Sequence, residues 1–445
     1  MKKFNKDKYL KVLRFKKYKR YLYIGIPCIL VLLMGIYFAY SKFSVFKEEE
    51  VVRTTVGDFI SGDAVIGAYI NGEYSKTIPG KNDGYIVDKI VCDNDASASW
   101  NNDSWGIVLT NLTKRTKCNV YFETKKPSLN ETVTTAMSNN PSMFATDDPD
   151  NNIRYIGANP NNYVYFNCSD YSNQSDSTCE KWRIIGVFNN VTKSDGTKEN
   201  LVKIIRNERI GNYSWDNKNM STGAETDSGK NDWTTARLNY LLNPGHDSES
   251  VGGSLYYNAE SGTCYYGQNN ATISCDFNST GLKNDTTRNA IESVVWSLGG
   301  ISDYNTATPQ KFYNDERNSQ VFSGRLSTWT GKIALMYPSD YGYATSGGST
   351  TDRQACLKKE LYNWYDDSMS DCTNNNYIYN SGIFQYTLNH YNNYSYDIYV
   401  IDKNGSVHRS SVWLERPVKP TLYLKSNISL KSGDGTSEAP YQLNL

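Results

Sequence analysis

The chain has 445 residues, too many for one small domain, and its 47 Lys or Arg balance 47 Asp or Glu. The balance is uneven: the first twenty residues hold ten Lys or Arg (Lys2, Lys3, Lys6, Lys8, Lys11, Arg14, Lys16, Lys17, Lys19, Arg20) against Asp7, a local +9, so the remainder carries −9. An acidic remainder lacks the basic face that displaces counterions from phosphates, which excludes nucleic acid as a partner.

Residues 1–20 read as a basic cytoplasmic tail, and residues 21–40, YLYIGIPCILVLLMGIYFAY, hold no charge. At about 1.5 Å per residue such a helix covers roughly 30 Å, the hydrocarbon thickness of a bilayer. The positive-inside rule places the basic end in the cytoplasm and everything after the span outside the cell, and Tyr21, Tyr23, Tyr37 and Tyr40 fall at headgroup depth. A cleaved signal peptide is the competing explanation. Its apolar stretch is shorter, about 7–15 residues, and ends in small residues, whereas this one ends in Phe38, Tyr40 and Phe43. The expectation is therefore an uncleaved, single-pass anchor in the cell membrane.

Residues 51–124 carry short strand patterns divided by turns: GAYINGEYSKTIP, GYIVDKIVCDN, WGIVLTNLT and KCNVYFET. Asn71-Gly72 between two of them is a two-residue hairpin signal, so a small all-β stalk module is expected. Residues 125–152, opening KKPSLNETVTTAMSNNPSMFATDDPDN, are polar and broken by prolines and read as a linker with a turn or two of helix.

Residues 153–445 form the head. KWRIIGVF and LVKIIRNERI, joined by a polar turn, suggest a long hairpin with one buried face. NDWTTARLNYLLN and TTRNAIESVVWSLGG suggest helices, the second ending on Gly299-Gly300. GKIALMYPSDYGYA suggests a strand running into an aromatic loop, and SVHRSSVWLERPVKPTLYLKSNISL two further strands. Strands and helices do not alternate regularly, so the class expected is α+β.

Of nine cysteines, Cys28 falls in the apolar span and eight follow it. Eight cysteines allow 105 pairings, but these occur as four neighbouring couples: Cys92 with Cys118, Cys168 with Cys179, Cys264 with Cys275, and Cys356 with Cys372. An even number in an exported region suggests four local disulfides. Zinc is the rival explanation, but there is no CxxC, and His246, His390 and His408 are scattered.

The succession KWRIIGVF, KIIRNERIGNYSWD, NDWTTARLNYLLN, GRLSTWTGKIALMYPSDYGYA and WLERPVKPTLYLKSNISLKSGDGTSEAPYQL resembles an uncharacterised family of membrane-anchored surface proteins of Gram-positive bacteria, over roughly residues 150–445. That family is similar to the C-type-lectin-like fold shared with formylglycine-generating enzymes. The resemblance implies a fold and no activity. The cysteine pair those enzymes use has no counterpart in the surroundings of Cys356 and Cys372, so no catalytic residue carries over.

Chemistry is sparse. GxSxG and HExxH are absent. His390 and His408 stand alone in polar segments, and Asp315, Glu316, Asp366 and Asp367 read as solvated surface. SGDGTSE offers oxygens and turns that calcium favours without EF-hand spacing, so calcium is a weak cofactor candidate and no other is expected. Flat rings beside carboxylates and amides, Tyr213 and Trp215 in NYSWD and Tyr337, Tyr341 and Tyr343 in YPSDYGY, are the candidate ligand platform. Thirty-six tyrosines among Asn, Ser and Gly suit binding loops. An AT-rich genome, which inflates Tyr, Asn and Lys regardless of function, accounts for them equally.

Three functions follow as expectations. The first is recognition of an extracellular glycan, peptide or protein by loops of the head. The second is an extracytoplasmic wall hydrolase or amidase, and the third a structural envelope component docking a partner protein. The lack of a nucleophile or metal set favours the first and third.

Overall fold

A computed structural model describes residues 64–93, 96–110, 116–217, 228–245, 253–267 and 271–445. The anchor expected at 21–40 lies outside the described residues, and among those described no helix is long and apolar enough to cross a membrane. The chain divides between Lys125 and Lys126 into two compact units.

In the small module β1 (Ala64–Ile70), β2 (Glu73–Ser75), β3 (Tyr85–Cys92) and β6 (Thr116–Thr124) form a sheet in the order β2-β1-β6-β3. The hairpin of β4 (Ser97–Asn101) and β5 (Gly106–Thr110) accompanies it. Asn71 and Gly72 take φ of 49° and 88°, the left-handed pair a tight hairpin turn needs. Along β6, Thr116, Cys118, Val120 and Phe122 are buried at every second position. Trp100 and Trp105 close over Phe122, which completes a core for a β-rich module.

Four disulfides join the neighbouring couples: Cys92–Cys118, Cys168–Cys179, Cys264–Cys275 and Cys356–Cys372. Loops of 11 to 26 residues closed in this way each gain about 3 kcal/mol by chain-entropy reasoning.

The segment expected to be a linker belongs to the larger unit. Leu129–Asn139 is an eleven-residue helix that buries Leu129 and Val133 in the large core. Ser128 caps it, and Glu131 reaches back to the Ser128 amide, a reciprocal capping box. The chain continues into β7 (Phe144–Ala145) and β8 (Ile153–Tyr155), which join the main sheet. A polar surface with three prolines looked like a linker, but the cap and the Leu/Val pair on one face decide the outcome.

The main sheet runs Ile333–Ala334, Thr421–Leu424, β11 (Lys198–Arg206), β10 (Glu180–Thr192), β8, β7, with β9 (Tyr163–Phe166) also on β10. The hairpin of β10 and β11 forms where expected, yet it is buried on both faces: every residue from 182 to 188 is buried. Gly186 sits where a side chain would strike the Ile153 carbonyl, 2.1 Å from a Cβ, so only glycine lets β8 approach. Strands dominate and helices are few and short, so the balance expected of an α+β head tips toward sheet. The helix expected through residues 285–298 ends at Ala290, because Val294–Ser297 pairs with Thr328–Gly331; consecutive β-branched residues favour the strand.

Inside the core lies a buried ion cluster. Asp340 receives Lys203 Nζ at 2.5 Å and Arg154 Nη1 at 3.1 Å, and Arg154 Nε meets Asp148 at 2.5 Å. Lys203 sits among the rings of Tyr337, Phe188, Trp296 and Tyr423. Burial pushes the Asp340 carboxyl up, but its two cations outweigh burial and hold it below the ordinary carboxylate range. Lys203, with one anion and two like charges nearby, is pushed down to about 8 by burial.

Candidate functional site

All five rings proposed as a platform are inside the molecule: Tyr213 is 8% exposed, Trp215 0%, Tyr337 3%, Tyr341 0% and Tyr343 2%. Trp215 lies against Trp233, and its backbone N–H donates to the Tyr386 hydroxyl at 3.1 Å. Tyr213 lines a closed space of about 10 Å³, hardly room for one water. The Ser297 amide donates to the Tyr337 hydroxyl, and Tyr343 lies beside Tyr313 and Arg154. PSDYGY is a short buried helix with Pro338 in its first turn, not a loop. The Tyr337 and Tyr341 hydroxyls are hydrogen-bonded inside the core, whereas the Trp215 ring N–H has no acceptor.

An open groove of about 490 Å³ lies elsewhere in the same unit, on the sheet formed by Gln385–His390, Asp397–Ile401 and Val407–Ser411. Asp397 stands opposite Ser411, and Tyr399 opposite Arg409. The turn between the second and third strands, DKNGS, is held by Asp402 Oδ1, which accepts the N–H groups of Asn404 and Ser406 at 2.9 Å. Gly405 in that turn has φ 88°, and a side chain there would strike Thr373. Tyr341 donates from its hydroxyl to the Gly405 carbonyl at 2.8 Å. One ring chosen from the sequence therefore supports the turn from inside without forming the surface.

Most of the groove's charges are already matched. Arg409 Nη1 meets Asp397 at 2.8 Å, and Ser411 donates to the other Asp397 oxygen at 3.0 Å. Arg416 lies with its guanidinium 4.2 Å over the Phe384 ring, and among the described residues no carboxylate comes within ion-pair distance of it. Its Nη1 donates only to the Glu415 carbonyl at 3.3 Å, and its Nε finds no acceptor. The Ser410 hydroxyl, on a residue 8% exposed, also lacks a partner.

Aromatic rings flank this groove. Arg409 lies 5.0 Å from the ring of Tyr394, which is 41% exposed. His408 meets Tyr362, which in turn meets Tyr365, 53% exposed. His408 lines the groove, its Nδ1 2.6 Å from the Arg409 carbonyl. His390 does not: it is buried, its Nε2 accepts the Phe322 amide at 3.0 Å, and burial first and Arg325 second push it down to about 4. It is a neutral acceptor in the core.

The acidic candidates are dispersed. Glu316 is buried and takes the Ser339 amide and hydroxyl, Asp315 pairs with Lys311, and Asp366 accepts the Ser368 amide. In SGDGTSE, Asp434 caps its own turn through the Thr436 amide and hydroxyl. Among the described residues no group of three or more His, Cys, Asp or Glu is placed to hold a metal ion.

The arrangement offers donors, acceptors and ring faces beside an open groove. Nothing in NYSWD or YPSDYGY marked those rings as core, and nothing in SVHRSSVWLERP marked Arg416 as unpaired; the latter depends on where Asp397, Asp402 and Glu415 point. No family model, curated protein or solved structure matches the chain.

Proposed function

We propose that this chain is a single-pass membrane protein with its N-terminus in the cytoplasm, whose C-terminal head lies outside the cell and recognises a glycan, peptide or protein. The basic tail followed by twenty uncharged residues supports the anchor and its orientation. Four disulfides support an oxidising compartment. The C-type-lectin-like resemblance of the head belongs to the same proposal. A reporter fused after Leu445 is expected to be active only outside the cytoplasm; a fusion active only inside would reverse the orientation.

The observation that carries the recognition proposal is the open groove over the Val407–Ser411 strand, lined by the half-buried Arg416, whose guanidinium meets the Phe384 ring and the Glu415 carbonyl but no carboxylate among the described residues. A cation without a counter-charge on the wall of an open groove gains from a ligand that supplies one. Full-length chain incubated with insoluble peptidoglycan and a panel of immobilised glycans should be retained by at least one of them. Ser411→Trp, which fills the groove from a half-buried strand position, should not be retained. Equal retention of both would place recognition elsewhere on the molecule.

A further inference from the structure

We infer that the ligand taken by this groove is an acidic glycan whose carboxylate is gripped by Arg416, an inference that rests on the recognition proposal above. Each other charge at the site has work within the protein. Arg409 is matched by Asp397, which also takes the Ser411 hydroxyl, and Asp402 holds its own turn. Glu415, next in the chain to Arg416, points away: its Oε2 lies 3.3 Å from where a Cβ on Gly267 would sit. Neighbours on a strand face opposite ways. What remains is one cation without a counter-charge, its guanidinium 4.2 Å from the centre of the Phe384 ring.

A guanidinium is planar and suits a carboxylate, which it can meet with two parallel N–H donors. A sugar acid fits better than an acidic peptide because Tyr394, beside the groove residue Arg409, and Tyr365, reached from the groove residue His408 through Tyr362, present exposed rings, and the faces of pyranose rings are flat and apolar. The chain beyond residue 20 carries −9 overall, so attraction of polyanions by bulk charge is disfavoured and the grip must be local.

The test uses full-length chain in detergent and three probes: galacturonate oligosaccharides, the same oligosaccharides methyl-esterified, and an Asp/Glu-rich peptide of equal charge. The acid form is expected to bind, and the ester to bind about tenfold or more weakly, as loss of a charge-assisted contact requires. Arg416→Gln should weaken acid binding by about tenfold or more, and Arg416→Lys, a point charge without the fork, should recover only part of it. Unchanged melting temperatures would exclude misfolding as the cause. Equal binding of ester and acid, unchanged binding by Arg416→Gln, binding of the peptide alone, or no binding of galacturonate each overturns the inference. If Ser411→Trp abolishes binding while Arg416→Gln does not, the groove stands and the carboxylate falls; if neither matters, both fall.

Discussion

Replacing Asp340 by Leu is expected to lower the stability of the head by about 3–5 kcal/mol, the cost of leaving a buried cation without its partner. Asp340 is fully buried between Lys203 and Arg154. Arg154 keeps Asp148 when Asp340 is lost, whereas Lys203 keeps only aromatic rings. Lys203→Met should cost less, because Asp340 retains Arg154 and the Tyr337 amide. The pair should therefore be unequal, which thermal or urea unfolding of the two variants would reveal; equal losses would contradict the geometry. The pH dependence has a definite sign. Asp340 and Asp148 are both held below the ordinary carboxylate value of 3.8, so their stabilisation is complete above that value. It is lost as pH falls through their lower folded values, and acid unfolding of Asp340→Leu should lack part of this decline.

A chain ending at Pro440 is expected to lose most of the head's stability although only five residues are removed. Tyr441 is 4% exposed and Leu443 1%. Tyr441 exchanges hydrogen bonds with Tyr163 and Tyr165 of β9. Leu443 exchanges two with the side chain of Gln174, in the loop between Cys168 and Cys179. Truncating a buried Leu costs about 2–5 kcal/mol and a large aromatic about 3–5, which together approach the whole stability of a typical domain, about 5–15 kcal/mol. Leu443→Ala alone should still fold and melt lower. A truncated chain that melts with the full one would show that β9 and the disulfide loop hold without the C-terminal strand.

The fold was legible where local chemistry decides it. Neighbouring cysteines paired with each other, Asn71-Gly72 made its turn, and the β10 and β11 hairpin lies where KWRIIGVF and LVKIIR place it. It was less legible where tertiary contacts overrule local pattern. The capping box from Ser128 to Glu131 was present in the sequence, but polar residues around it hid a helix whose buried face is only Leu129 and Val133. Lys203 within a run of apolar residues was a visible sign of a buried charge, but its partner is 137 residues away. The kind of surface expected, rings among polar groups, does occur, at Tyr365 and Tyr394, whereas the rings chosen are core. A tyrosine's chemistry is the same in both settings, and only burial distinguishes them.

Recognition without turnover is the central claim, and the most direct measurement is to incubate full-length chain with peptidoglycan and the glycan panel and analyse the soluble phase for released fragments. The expected result is retention of the protein on a carboxylate-bearing glycan with no soluble product over time. Accumulation of sugar or peptide fragments, abolished by Ser411→Trp, would contradict it and make the groove the active site of a wall hydrolase.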